Sequence, residues 1–122
     1  MRALALALCL VSTPAIAADQ FDLICTAKKE SVRYRIDLAA GEYCAGNCEI
    51  VQKIAGVTSG TLTLQDKQRQ FPDDDRIWNT INRATGEWYR SESIPSISLY
   101  ETTEGRCEPA TFSGIAPAKT KF

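Results

Sequence analysis

The chain has 122 residues, 14 of them basic and 15 acidic, for a net charge of −1, and it contains no histidine. That balance leaves no basic surplus to hold a phosphate backbone, which excludes nucleic acid as an expected partner. The missing histidine rules out Ser-His-Asp and Cys-His catalysis and any His-containing zinc site.

The first segment reads as an address. Arg2 precedes an apolar run from Ala3 to Val11, and Pro14 breaks it before Ala15-Ile16-Ala17. Small residues thus stand at the −3 and −1 positions that a signal peptidase reads, which predicts a cleaved signal peptide over residues 1–17. The run is too short for a membrane span, which needs ~20 apolar residues. Leu6-Ala7-Leu8-Cys9 imitates a lipoprotein site, but Cys9 follows a leucine and lies inside the apolar run. Residues 18–122 then form a single domain in the periplasm or outside the cell, with 13 basic against 15 acidic residues and no later membrane span.

Four cysteines remain after cleavage: Cys25, Cys44, Cys48 and Cys107. In an exported chain an even number reads as two disulfides. A four-cysteine zinc site is a poor fit, because only Cys44 and Cys48 are closely spaced.

Phe21, Leu23 and Cys25 alternate as a first strand. The clearest strand follows, with Val32, Tyr34, Ile36 and Leu38 alternating with Arg33, Arg35 and Asp37. A period of two marks one buried and one wet face. It runs into Ile36-Asp-Leu-Ala-Ala-Gly-Glu-Tyr43, a stretch echoed by Ile81-Asn-Arg-Ala-Thr-Gly-Glu-Trp88 and, more loosely, by Tyr100-Glu-Thr-Thr-Glu-Gly-Arg-Cys107. An Asx side chain ahead of a four-residue loop bonds the turn's own amides, and glycine at the last loop position accepts φ > 0. The echo predicts three hairpins with Asp37 opposite Glu42, Asn82 opposite Glu87 and Glu101 opposite Arg106. The adjacent pairs, Ile36–Tyr43, Ile81–Trp88 and Tyr100–Cys107, would face the core. The last hairpin conflicts with simple alternation, which would bury Ile97 and Leu99 instead. Between Cys48 and Gly60 the pattern is ambiguous: Ile50, Val51, Ile54 and Ala55 fit a short helix and Val57 an incoming strand. Leu62 and Leu64 mark another strand, Gln65 to Asp75 a polar loop with Pro72, and Pro109 onward a tail with Phe112 and Phe122 as anchors.

The register also selects the disulfides. Cys107 is core-facing on the last strand and Cys25 shares a face with Phe21 and Leu23, so Cys25–Cys107 and Cys44–Cys48 are expected, with the crossed pairings as alternatives. The long staple would contribute roughly 4–5 kcal/mol and the local clip ~2 kcal/mol. The expected fold is all-β: an antiparallel meander of about eight short strands curled into a small barrel or sandwich.

Candidate functional residues are few. Arg33 and Arg35 share a wet strand face, and Arg76 and Arg90 lie near Trp78 and Trp88, so Arg33, Arg35, Arg76, Trp78 and Arg90 form the expected recognition surface. Asp73, Asp74 and Asp75 are a weak calcium candidate, since neighbouring carboxylates point in different directions. Glu42 and Glu87 occupy equivalent hairpin corners, with nothing to bring them across one cleft. No S-x-x-K or G-x-S-x-G motif is present. Neither a catalytic set nor a cofactor is expected.

The layout resembles uncharacterised small periplasmic all-β proteins of Gram-negative bacteria. The resemblance rests on the leader, Phe21-Asp-Leu-Ile-Cys25, Tyr34-Arg-Ile-Asp-Leu38, the Cys44/Cys48 pair, Ile81-Asn-Arg83 with Gly86, and Gly105-Arg-Cys-Glu-Pro109. It implies no activity. Periplasmic lysozyme inhibitors share the size and β character, but their Ser-Gly-x-x-Tyr signature is absent: neither Ser59-Gly60 nor Ser113-Gly114 leads to a tyrosine. The expected function is a binding or inhibitor-like module for a periplasmic protein or envelope component. The alternatives are a small-ligand carrier with a mouth lined by Tyr34, Tyr43 and Trp88, and an enzyme using carboxylates or Ser/Lys.

Overall fold

Alternation of apolar and polar residues produces nine strands in the computed structural model, which describes residues 19–115. They are β1 (Gln20–Ala27), β2 (Ser31–Asp37), β3 (Glu42–Ala45), β4 (Gln52–Lys53), β5 (Gly56–Val57), β6 (Thr61–Lys67), β7 (Arg76–Asn82), β8 (Glu87–Ile94) and β9 (Leu99–Ala110). All belong to one sheet in the order β4-β3-β2-β1-β9-β8-β7-β6-β5, and every pairing is antiparallel. The fold is therefore a single curled sheet, a half-barrel, and not a sandwich. The leader, with its expected cleavage site, and the Phe122 anchor lie outside the described residues.

Two of the three echoed segments are hairpins with the expected partners. Ile36 faces Tyr43 and Asp37 faces Glu42, while Ile81 faces Trp88. The turn chemistry follows from the side chains: Asp37 Oδ1 accepts from Ala40 N–H at 3.0 Å, and Asn82 Oδ1 accepts from Ala84 and Thr85 N–H at 2.9 and 3.1 Å. Gly41 (φ 68°) and Gly86 (φ 79°) hold the left-handed position that closes each loop.

The third echo is not a hairpin. Leu99–Ala110 runs straight as β9, with Tyr100 opposite Ser93 and Glu101 opposite Glu92. Glu101 has a side chain too long for the Asx turn, and β-branched Thr102 and Thr103 favour extended backbone. Gly105 is not needed for a turn; a Cβ there would collide with the Thr26 carbonyl, so it permits close strand approach. The reversal into β9 lies earlier, at a 3₁₀ turn over Pro95–Ile97 followed by left-handed Ser98. Tyr100 and Ile97 are consequently exposed, and the expected burial conflict between them does not arise.

The expected short helix after Cys48 is also absent. Ile50 points into solvent, 70% exposed, and the chain continues as β4 and β5. These two strands terminate opposite ends of the sheet yet lie within one six-residue stretch. Between them, Ile54 N–H donates to Gly41 O at 2.9 Å on the β3 side, and Ala55 N–H donates to Thr63 O at 3.0 Å on the β6 side. One segment thus satisfies the open edges of both ends, which a helix there could not do.

Cys25 and Cys107 face each other across β1 and β9 and are bonded, as are Cys44 and Cys48. The core packs Leu23, Tyr34, Ile36, Tyr43, Leu62, Leu64, Ile81 and Trp88 around the long staple. Among the described residues no helix is long and apolar enough to cross a membrane.

Candidate functional site

Inward-facing positions near one end of the half-barrel are polar where the rest of the core is apolar. Alternation on β2 turns Tyr34 inward, and β7 turns Asn79 inward between Ile77 and Ile81. Trp88 and Arg90 follow on β8, Arg90 directly opposite Asn79. Asn79 is only 2% exposed and links two elements of the fold. Its Oδ1 accepts from Trp88 Nε1–H at 2.8 Å, and its Nδ2–H donates to Tyr34 Oη at 3.0 Å. The Tyr34 ring stands edge-on to both Tyr43 and Trp88, with centroids 6.2 and 6.1 Å apart.

The closing segment completes the site. Gln52 on β4 accepts from Tyr43 Oη–H, and from Gln65 Nε2–H at 3.3 Å, so its Oε1 joins β3 to β6. Between these groups lies an open cavity of about 350 Å³ whose lining includes Tyr34, Tyr43, Gln52, Gln65, Asn79 and Arg90. Asn47, Glu49, Ile50 and Glu92 also line it.

Electrostatics limit what this mouth can hold. The Arg90 guanidinium lies 5.2 Å from the centroid of the Trp88 ring, is ion-paired to Glu30, and has its Nε 3.6 Å from Glu92. Thr103 adds a hydroxyl hydrogen bond to Glu30 at 3.0 Å. The Arg90 hydrogen bond lowers the Glu30 pKa, outweighing the burial that would raise it. Burial alone would lower the Arg90 pKa, yet its bonds to Glu30 and Tyr34 raise it. Burial, aided by Tyr34, holds the Tyr43 hydroxyl protonated far above its ordinary range. Arg90, the cation that lines the mouth, is therefore neutralised, and the carboxylates of Glu49 and Glu92 stand beside otherwise uncharged donors and acceptors. That chemistry suits hydroxyls and amides and repels an anion.

The opposite end carries a different cavity, of about 440 Å³, whose apolar lining includes Phe21, Leu23, Leu62, Ile81 and Pro109 beneath the β7–β8 turn. A Cβ at Gly86 in that turn would come within 2.6 Å of the Cys107 carbonyl oxygen.

The arginines expected on one recognition surface are distributed over three places. Arg90 is in the mouth, whereas Arg76 and Trp78 are on the outer face of β7, with Trp78 edge-to-face against Tyr89. Arg33 and Arg35, on the outer face of β2, hold down the segment after β9. Arg33 Nε–H donates to Asp22 at 2.6 Å and its Nη2–H to Thr111 O at 3.4 Å. Arg35 donates to Gly114 O at 2.9 Å and Gly46 O at 3.2 Å. Asp22, 0% exposed, also accepts from the Ser113 amide at 3.1 Å and from its hydroxyl. What reads as a tail is thus strapped across the sheet.

The three consecutive aspartates do not converge. Asp74 accepts from the Gln70 and Phe71 amides at 3.2 and 2.9 Å, while Asp75 lies 3.8 Å from Lys67 Nζ. Among the described residues no group of three or more carboxylate or thiol side chains is arranged to hold a metal ion.

Asn79, Gln52 and Gln65 are the residues that sequence reading missed. Asn79 did leave a signal, a polar residue at an inward position between two isoleucines. Gln52 left none, because its orientation depends on which sheet edges the closing segment joins.

Comparison with protein-family models, curated proteins and solved structures returns no match. The geometry therefore defines the class by itself: a disulfide-stapled, all-β half-barrel with one polar and one apolar mouth.

Proposed function

We propose that the protein is an exported binding module whose polar mouth takes an uncharged, hydroxyl- and amide-rich group displayed by an envelope component, such as a saccharide unit. The observation that carries this reading is the connected set of Tyr34, Tyr43, Gln52, Gln65 and Asn79 around a cavity of about 350 Å³. A cavity of that size is within the range of small-ligand sites, where a few convergent polar groups set orientation. Aromatic walls add stacking surface, and the paired Arg90 keeps the site without net positive charge. Export is supported by the leader and by two disulfides, which persist in oxidising compartments. With no histidine and no motif for a nucleophile, binding is a better use of these residues than catalysis.

The two tryptophans provide the test. Trp88 donates its indole N–H into the mouth network, whereas Trp78 is outside the sheet, so their indole NMR signals report separate regions. Titration with N-acetylhexosamines, neutral oligosaccharides and, for contrast, dicarboxylates should shift the Trp88 signal with the neutral ligands alone. Gln52→Leu should weaken that response. Binding confined to the dicarboxylates, or no response across the panel up to ~10 mM, on the order of the weakest specific affinities, would sink the reading.

A further inference from the structure

The outer face of β7 and β8 carries a second arrangement that the mouth does not use. Trp78 and Tyr89 stand diagonally on neighbouring strands, Trp78 opposite Ser91 and Tyr89 opposite Thr80. Their rings are 6.0 Å apart and inclined at 70°, so they form two walls of a corner. Trp78 remains 42% exposed. Beside the corner is an open depression of about 580 Å³, and Glu87 and Glu104 line it with the two rings.

Three strands bring carboxylates to this corner. Glu104 on β9 is directly opposite Tyr89, Glu87 is on β8 itself, and Asp66 on β6 is directly opposite Trp78. Among the described residues, Glu87 and Glu104 have no side-chain hydrogen bond within 3.5 Å and no ion pair within 4.0 Å. Arg106, across from Glu87, is the one basic residue paired with these positions, and no ion pair joins them at that distance. The faces of aromatic rings are electronegative and attract cations, most strongly for tryptophan. Carboxylates on the rim reinforce that preference and repel an anionic occupant.

We infer that the Trp78–Tyr89 corner is a docking site for a cationic side chain, lysine or arginine, on a basic segment of a protein partner. The ring faces contact the alkyl stem and the charged head, and Glu87 and Glu104 receive its N–H groups. The site is on the opposite side of the sheet from the mouth and does not depend on how the mouth is used.

The experiment uses the same indole signals, assigned with Trp78→Phe. A short lysine- and arginine-containing peptide is titrated into the labelled protein, alongside the same sequence with acetylated lysines and citrulline for arginine. The basic peptide should shift the Trp78 signal saturably and by more than that of Trp88, which also lines the depression but whose indole N–H is bound to Asn79 on the other face. Glu87→Gln/Glu104→Gln should weaken binding about tenfold or more, and both positions are exposed. An unshifted Trp88 signal in that variant establishes that it is folded. Added salt should weaken binding too, as expected for exposed charges. Equal binding of the neutralised peptide, unchanged affinity in the double variant, or no Trp78 response to the basic peptide would each overturn the inference.

Discussion

Replacing Asn79 with leucine removes the polar centre of the mouth while keeping a side chain of similar size. In the native structure Asn79 is the acceptor for the Trp88 indole N–H and the donor to the Tyr34 hydroxyl. The substitution leaves that indole N–H, on a side chain 2% exposed, without its partner. An unsatisfied buried donor costs about 1–3 kcal/mol, and the lost hydroxyl bond about 1 kcal/mol more. The tyrosine hydroxyl can still bond Arg90, and leucine recovers some apolar burial, so the net loss should be ~2–3 kcal/mol. Urea unfolding followed by Trp fluorescence measures it, and the Trp88 indole proton should move strongly upfield. Tyr34→Phe alone should cost about 1 kcal/mol, and much less in the Asn79→Leu background, because the two residues share one bond. A loss below ~0.5 kcal/mol with an unmoved Trp88 proton would refute the claim that Asn79 organises the mouth.

Two further outcomes follow from the staples and the strap. Replacing both Cys25 and Cys107 by alanine should cost roughly 4–5 kcal/mol, against ~2 kcal/mol for Cys44 and Cys48, because the loops span 82 and 4 residues. Comparable losses in denaturant titrations would contradict that chain-entropy ordering. Asp22 governs an acid response. Burial works to raise its pKa, but the Ser113 and Arg33 hydrogen bonds and the Arg33 charge together lower it below 3.8. A depressed carboxylate stabilises the fold above its unfolded pKa, and that stability is lost as pH falls through the folded value. Urea midpoints should therefore decline from just above pH 3.8 downward, more steeply in the native protein than in Asp22→Asn. Parallel declines would remove Asp22 from that account. Glu30, lowered by Arg90, adds to the same acid response.

Much of the strand pattern was written locally. Val32 to Leu38 alternates without a break, and Asp37 and Asn82 each announce a turn four residues ahead of its glycine, Gly41 and Gly86. Those signals need only neighbouring residues, so they survive in a bare sequence. The third echo failed because resemblance in spacing is not turn chemistry: with Glu in place of Asx and two threonines in the loop, extension wins. Ile50 and Ile54 misled in a similar way. Their spacing suits a helix, but the segment's backbone finds better partners on two sheet edges.

The sequence by itself determined the all-β class, two hairpins, the favoured disulfide pairing and the inward face of β2, because period-two patterning and turn residues act over a few positions. Only the tertiary structure decided that residues 52–57 join both ends of the sheet. It also decided that Arg33 and Arg35 hold the segment after β9, and that Gln52, Gln65 and Asn79 surround one mouth. These features arise where distant edges compete for the same backbone donors and acceptors, and that competition is resolved only when the sheet curls.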